Sequence, residues 1–267
     1  MASLFFPQFS TGAIAQYPLR RGHLARSVKN VLPSGELILL PDPGATKLVW
    51  QLAYSALNAA DLQQLQTLFQ ECQGPVHAFT FIDPVDNMLS GSATLSSAFW
   101  TIPSGITVSS AMPDPMGGSG ALVLTNTGQS AQAITQTLAV PAWYQYCFSV
   151  YAMSNQPSTL TLTRQGASSA AETACTIGSN WTRAVSAGVL GDTAATFTAG
   201  LQLAAGQQVT VFGPQLEPQT APSRYWPTLQ KGGVYAAAHW SVNELLIAAQ
   251  GPNLFATNFS IEAAIQD

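Results

Sequence analysis

Gly213-Pro214-Gln215-Leu216-Glu217-Pro218, running on to Ala221-Pro222-Ser223-Arg224-Tyr225-Trp226-Pro227-Thr228, is the stretch on which the reading of the fold turns. It follows Gln207-Gln208-Val209-Thr210-Val211-Phe212, a strand-like run. Upstream, from Gly91, short alternating runs recur with Gly, Ser, Asn and Pro between them, and no helical period survives. The expected strands are Ala121–Thr127, Gln132–Val140, Tyr144–Met153, Thr159–Arg164, Glu172–Ile177, Thr182–Ala187, Ala195–Leu201 and Gln207–Phe212. About eight strands at this spacing mark an antiparallel sandwich. Charge is scarce across this region, confined to Asp114, Arg164, Glu172, Arg183, Asp192, Glu217 and Arg224.

The closing pattern, Gly-x-Gln-Leu-Glu followed by Ser-Arg-Tyr-x-x-Thr, resembles the last strand of carbohydrate-binding-type β-sandwich modules. Asn180-Trp181-Thr182-Arg183 is similar to a strand of those modules in which the Trp packs. The resemblance implies a jelly-roll sandwich over residues 91–228.

Both flanks have a different texture. Before the sandwich, Glu36–Leu40 is a short apolar run, and Pro41-Asp42-Pro43-Gly44 reads as a turn ending it. Lys47–Tyr54 then places Leu48, Trp50, Leu52 and Tyr54 on one strand face. One helix follows: Asn58 can cap it, Leu62, Leu65, Leu68 and Phe69 recur at helical spacing, and Gly74-Pro75 stops it. Val76–Ile82 returns to a strand before Asp83-Pro84. After the sandwich, Tyr235–Trp240 alternates, and Glu244–Ala249 and Asn258–Ile265 read as further strands. Neither flank holds enough strands to stand alone. The expectation is a mainly β protein: a discontinuous host domain, residues 1–90 and 229–267, interrupted by the sandwich.

The host flanks resemble distal tail proteins of tailed phages, on the order Trp50, Tyr54, the helix entered at Leu57–Asp61, and Phe79-Thr80-Phe81-Ile82-Asp83-Pro84. That resemblance implies a β-barrel or split-barrel in a homo-oligomeric ring, hexameric or trimeric, joining a tail tube protein to a baseplate hub protein. It implies a virion tail-tip location after synthesis in the host cytoplasm, and a peripheral sandwich aiding adhesion to a cell-surface glycan. The ring-facing residues would be Trp50, Tyr54, Tyr235 and Trp240, on strands expected at sheet edges together with the loop Pro41–Ala45. The alternative is a lectin-like carbohydrate-binding module on a small scaffold. For sugar contact the candidates are Trp143, Tyr144, Tyr146 and Arg164, with aromatic faces for pyranose rings and a guanidinium for hydroxyls.

Only 8% of the 267 residues are charged, against about 25% in an ordinary soluble domain. Such a surface suits a protein covered by neighbours. The net charge of −4 argues against sequence-independent nucleic-acid binding. Arg20, Arg21, Arg26 and Lys29 cluster in a segment read either as a solvated loop or as a contact for an acidic neighbour or for DNA in a tail lumen. No basic leader precedes an apolar run, so export by the usual route is not expected, and no run reaches the ~20 apolar residues of a membrane helix. Cys72, Cys147 and Cys175 match no metal or redox spacing, and Cys147 is expected as a buried thiol. His23, His77 and His239 lie far apart, and no paired carboxylates or nucleophile elbow stand out. The expectation is a non-enzyme without cofactor or metal.

Overall fold

The computed structural model describes residues 3–265. Its first elements are β1 (Arg20–Val31), β2 (Leu37–Leu57), α1 (Ala59–Glu71) and β3 (Phe79–Ile82). Then come β4 (Ile106–Met112), β5 (Ala121–Asn126), β6 (Gln132–Leu138), β7 (Tyr146–Met153), β8 (Ser158–Gln165) and β9 (Ala170–Ile177). The chain continues through β10 (Thr182–Gly188), β11 (Phe197–Leu203), β12 (Gln208–Glu217), β13 (Val234–Trp240), β14 (Ile247–Gly251) and β15 (Leu254–Ala264). The protein is mainly β, its sheets antiparallel, with α1 the one helix among the described residues. Two compact units divide it: unit 1 comprises Met1–Phe9, Ala15–Phe81 and Tyr235–Asp267, and unit 2 comprises Ser10–Ile14 and Ile82–Val234.

Unit 1 is one sheet in the order β1-β2-β15-β13-β3, with β14 alongside β15. Its core is aromatic. Trp50 lies 4.9 Å from Phe81 and 4.8 Å from Tyr235, and Trp240 lies 4.7 Å from Phe259 and 5.2 Å from Phe69 of α1. The helix starts where its cap allows: Asp61 N donates to Asn58 Oδ1 at 2.8 Å. Leu62, Leu65 and Leu68 are its buried stripe.

Pro41–Gly44 is not a turn. It lies inside β2, a 21-residue strand that forms a long hairpin with β1, and the hairpin turns at Leu32–Glu36 instead. Two features let proline stand here. The pairing with β15 covers only Lys47–Leu57, so Leu37–Thr46 is an edge on that side. The register with β1 also jumps from Asp42 to Lys47, a bulge that absorbs Pro43–Thr46. The basic segment, read as a loop or a contact, is strand β1.

Unit 2 is a two-sheet sandwich, β10-β7-β12-β5-β4 over β6-β11-β8-β9. All eight strands expected from the pattern are present within a few residues; β4 is the additional one. Tyr146 on one sheet meets Phe197 on the other at 4.5 Å, and Phe148, Val150, Leu160, Leu162 and Leu201 fill the same fully buried layer. The entering and leaving segments are zipped together: Asp83 N donates to Gly233 O, Gly233 N to Asn87 O, Gly91 N to Gln230 O and Ala93 N to Thr228 O. The backbones are so close that a Cβ at Gly232 would sit 2.2 Å from Met88 O, which only glycine permits.

Asp192 closes the loop between β8 and β9, its Oδ2 accepting from Ser168 N at 2.7 Å and Ser169 N at 2.9 Å while Oδ1 takes Ala194 N. These amides, Ser168's foremost, hold its carboxyl far below the ordinary carboxylate range. A depressed carboxyl stabilises the fold above the unfolded value of about 4, and that contribution fades as pH falls through and below it. Thermal melts of Asp192→Asn should therefore show a shallower loss of stability below about pH 4 than wild type. Parallel acid limbs would contradict this role.

Candidate functional site

The motif that opened the sequence reading builds one face of the sandwich. At Gly213 (φ +64) the chain bends, and a Cβ there would fall 2.9 Å from the Tyr225 ring, so glycine lets that ring lie on the backbone. Beyond the bulge between Phe212 and Gln215, Leu216 enters the core while Gln215 turns to the returning chain. Gln215 Oε1 accepts from Trp226 N at 2.7 Å and Nε2 donates to Arg224 O at 3.2 Å. Glu217 accepts from Ser223 N, Ser223 Oγ and Gln219 Nε2. Thr228 Oγ1 donates to Leu89 O, and Ser92 Oγ, which bonds Thr228, also bonds Tyr225 OH at 3.0 Å. The conspicuous Gln, Glu, Ser and Thr of the motif thus pin the segment 218–228 to the outer side of the five-stranded sheet.

On the same side Cys147 and Ser149 are buried; burial first, and then nearby Glu217, push the Cys147 thiol up to about 11, so it stays protonated at neutral pH. Beside the covered part, the outer side stays partly open. Tyr151 and Phe212, cross-strand partners on β7 and β12, are half-buried with ring centroids 6.3 Å apart, and Phe212 meets Tyr225 edge-on at 5.1 Å. Arg183 of β10 lays its guanidinium over Tyr151, 5.1 Å from the centroid, and is held by Ser149 Oγ and Ser223 O. Next to Phe212 and Tyr225 lies a cavity of about 270 Å³ lined by Ser92, Met116, Leu122 and the exposed Arg224. Typical small-molecule pockets run ~300–1,000 Å³, so this cavity falls just below that range.

The expected sugar contacts are dispersed. Tyr146 is fully buried and its hydroxyl donates to Pro141 O at 2.9 Å. Arg164 is a strut between the two sheets, bonding Ser186 Oγ, Ala187 O and Gly188 O. Tyr144 is buried, which leaves Trp143 as the exposed ring of the four, at 42%. Tyr146 and Arg164 are therefore corrected to core. Alternation places Tyr151 opposite Tyr146 on its strand, which is the signal that could have found the open side. Phe212 and Tyr225 needed the fold, since the returning chain unites them.

The expected ring-facing residues are corrected likewise. Trp50, Tyr54, Tyr235 and Trp240 are all buried inside unit 1. Lys47–Tyr54 has β1 on one side and β15 on the other, and β13 lies between β15 and β3, so neither strand is an edge. Alternation in β13 also slips at Ala236–Ala237, both exposed, which puts Tyr235 inward together with Ala238 and Trp240.

A larger cavity, about 560 Å³, lies on unit 1 between Arg20, Gln51, Asn258, Ser260 and Glu244. It presents no exposed aromatic face, as Phe259 at its floor is buried. No group of His, Cys, Asp and Glu able to hold a metal occurs among the described residues, and no helix among them is long and apolar enough to cross a membrane.

No family model matches the chain, and no curated protein does. Solved structures similar to part of it include the enzymatically active domain of bacteriophage CBA120 tailspike protein 4. That domain is 15% identical over 51% of this chain and 22% of that chain, with a TM-score of 0.41. The C-terminal family 22 carbohydrate-binding module of Clostridium thermocellum Xyn10B is 17% identical over 53% of this chain and 99% of its own, at 0.41. TmCBM61, solved with β-1,4-galactotriose, is 12% identical over 49% of this chain and 97% of its own, at 0.38.

Proposed function

We propose that unit 2 is a carbohydrate-binding module whose ligand lies along the open part of the five-stranded sheet, and that unit 1 is the scaffold carrying it. The observation behind this is the run Tyr151–Phe212–Tyr225, with Arg183 on one flank and the Arg224-lined cavity on the other. The half-exposed rings of Tyr151 and Phe212 offer faces for the C–H side of a pyranose, while the exposed Arg224 offers donors to its hydroxyls. Arg183 would act as a positioning residue that holds Tyr151 upright. Binding of this kind needs no catalytic step, cofactor or metal.

The test is retention of the full chain on immobilised glycans, followed by titration of the best ligand. Tyr151→Ala should weaken binding by about tenfold or more, the scale of 1.4 kcal/mol, with an unchanged melting temperature. A chain that no glycan retains would sink the reading.

A second reading is favoured by a separate observation in unit 1. The outer half of the β1–β2 hairpin is exposed on both faces yet carries Leu24, Val28, Val31, Leu37, Leu39 and Leu40. A bare two-stranded ribbon is marginal in water, and an apolar one invites a partner. That supports a structural subunit of a larger assembly, of which the tail-tip ring of a phage, contacting tube and hub proteins, is the form suggested by the sequence resemblance. In that setting the sandwich would bring the virion to a host-surface glycan.

A further inference from the structure

Charged side chains of both signs stand around the open part of the five-stranded sheet, and only the acids are engaged. Glu217 is buried and accepts from Ser223 N, Ser223 Oγ and Gln219 Nε2. Asp114, beside the cavity wall at Met116 and Gly120, takes Met116 N and Gly118 N on Oδ1 and Gly120 N on Oδ2. The arginines lack such partners. Arg224 is exposed, lines the cavity, and among the described residues its guanidinium enters no hydrogen bond or ion pair. Arg183 is held by neutral oxygens alone, Ser149 Oγ and Ser223 O, and its buried Nε has no acceptor. Two guanidiniums thus flank the aromatic run without a carboxylate of the chain bonded to either.

The position of Arg224 relative to the rings decides what it can receive. Phe212 and Arg224 line the same cavity. A pyranose laid with its C–H face on Phe212 or Tyr151 directs its equatorial substituents sideways, along the sheet. The substituent at C5 reaches furthest. In a neutral hexose it ends in a hydroxyl; in a hexuronic acid it is a carboxylate. A planar guanidinium binds a carboxylate through two parallel N–H···O bonds, which are stronger than a bond to a hydroxyl.

We infer that the glycan recognised by unit 2 contains hexuronic acid, its carboxylate received by Arg224 while the sugar ring lies on Phe212 or Tyr151. This names the ligand class of the face proposed above and rests on that reading. Arg183, fixed over Tyr151, adds positive potential at the other end of the run. The chain as a whole carries a net charge of −4, so retention of a polyanion would reflect this face and not a general attraction.

The test titrates the full chain with oligosaccharides of polygalacturonate, alginate and hyaluronan, each beside its carboxyl-reduced form, which keeps the linkages and removes the charge. At least one acidic oligosaccharide should bind about tenfold more tightly than its reduced counterpart, and added salt should weaken the acidic form alone. Arg224→Gln keeps N–H donors and loses the charge; it should bring the ratio of the two affinities close to one. Its melting temperature should not change, because the fold uses only the Arg224 carbonyl, bonded by Gln215 Nε2. Tyr151→Ala should weaken acidic and reduced forms alike. Equal binding of acidic and reduced forms, or binding of neutral glycans only, would overturn the inference and leave carbohydrate binding in place. An acid preference that survives Arg224→Gln would overturn the role given to that residue. Retention of no glycan, acidic or neutral, would overturn both the inference and the reading beneath it.

Discussion

Trp50→Ala should destabilise unit 1 by about 3–5 kcal/mol, the range for emptying a buried aromatic site. Trp50 is fully buried and packs its ring at a tilt against Phe81 and edge-on against Tyr235, so truncation opens a cavity between β2, β3 and β13 that rigid strands cannot close. Two units unfold in one chain, so the readout is the unit 1 transition in a urea titration and not a single midpoint. Trp50→Phe separates packing from polarity. The indole Nε1 has no hydrogen-bond partner, so the phenyl ring loses volume but no bond, and it should cost markedly less than alanine. The loss arises within a single copy and appears in dilute monomer. A Trp50→Ala chain that unfolds normally as monomer but fails only to assemble would return this residue to the interface.

Asn87→Ala should be at least comparably damaging to unit 2, by about 4 kcal/mol or more, through hydrogen bonds instead of volume. The side chain is fully buried at the neck where the chain enters and leaves the sandwich. Its Oδ1 accepts from Leu89 N and Leu216 N, and its Nδ2 donates to Pro214 O and Trp226 O. Removing it strands two amides and two carbonyls, each costing about 1–3 kcal/mol where water cannot replace the partner. Asn87→Asp retains the acceptor and loses both donations, while burying a charge, so it should not rescue. Calorimetry reads the result as a lowered unit 2 transition; a shift below about 1 kcal/mol would show that the neck is wet and its bonds replaceable.

The sandwich was legible because most of its strands bury one face more than the other, which writes a period of two into the chain. Residues 132–138 and 158–165 show it plainly. The helix was legible from Asn58 and its leucines for the same reason of one-sided burial. β1 was not, because both faces of the ribbon are exposed and no alternation distinguishes Arg20–Val31 from a loop. The prolines of β2 then read as a turn, since nothing local reveals that this stretch is an edge interrupted by a bulge. Of the candidate site, the closing motif was visible as a motif, but its Gln, Glu and Ser serve to fasten the returning chain. The aromatic run depends on bringing Tyr151, Phe212 and Tyr225 together across two strands and a return, which spacing alone does not encode. Trp50 and Trp240 read as surface because strand order was unknown; once β2 and β13 are interior, their burial follows.

A crystal of the full chain soaked with its best-retained oligosaccharide tests most directly whether unit 2 recognises sugar on this face. The account predicts a pyranose ring in van der Waals contact, within about 4 Å, with Tyr151 or Phe212, and hydroxyls toward Arg224. A sugar lodged on Trp143 or against the four-stranded sheet, with Tyr151 and Phe212 untouched, would contradict it.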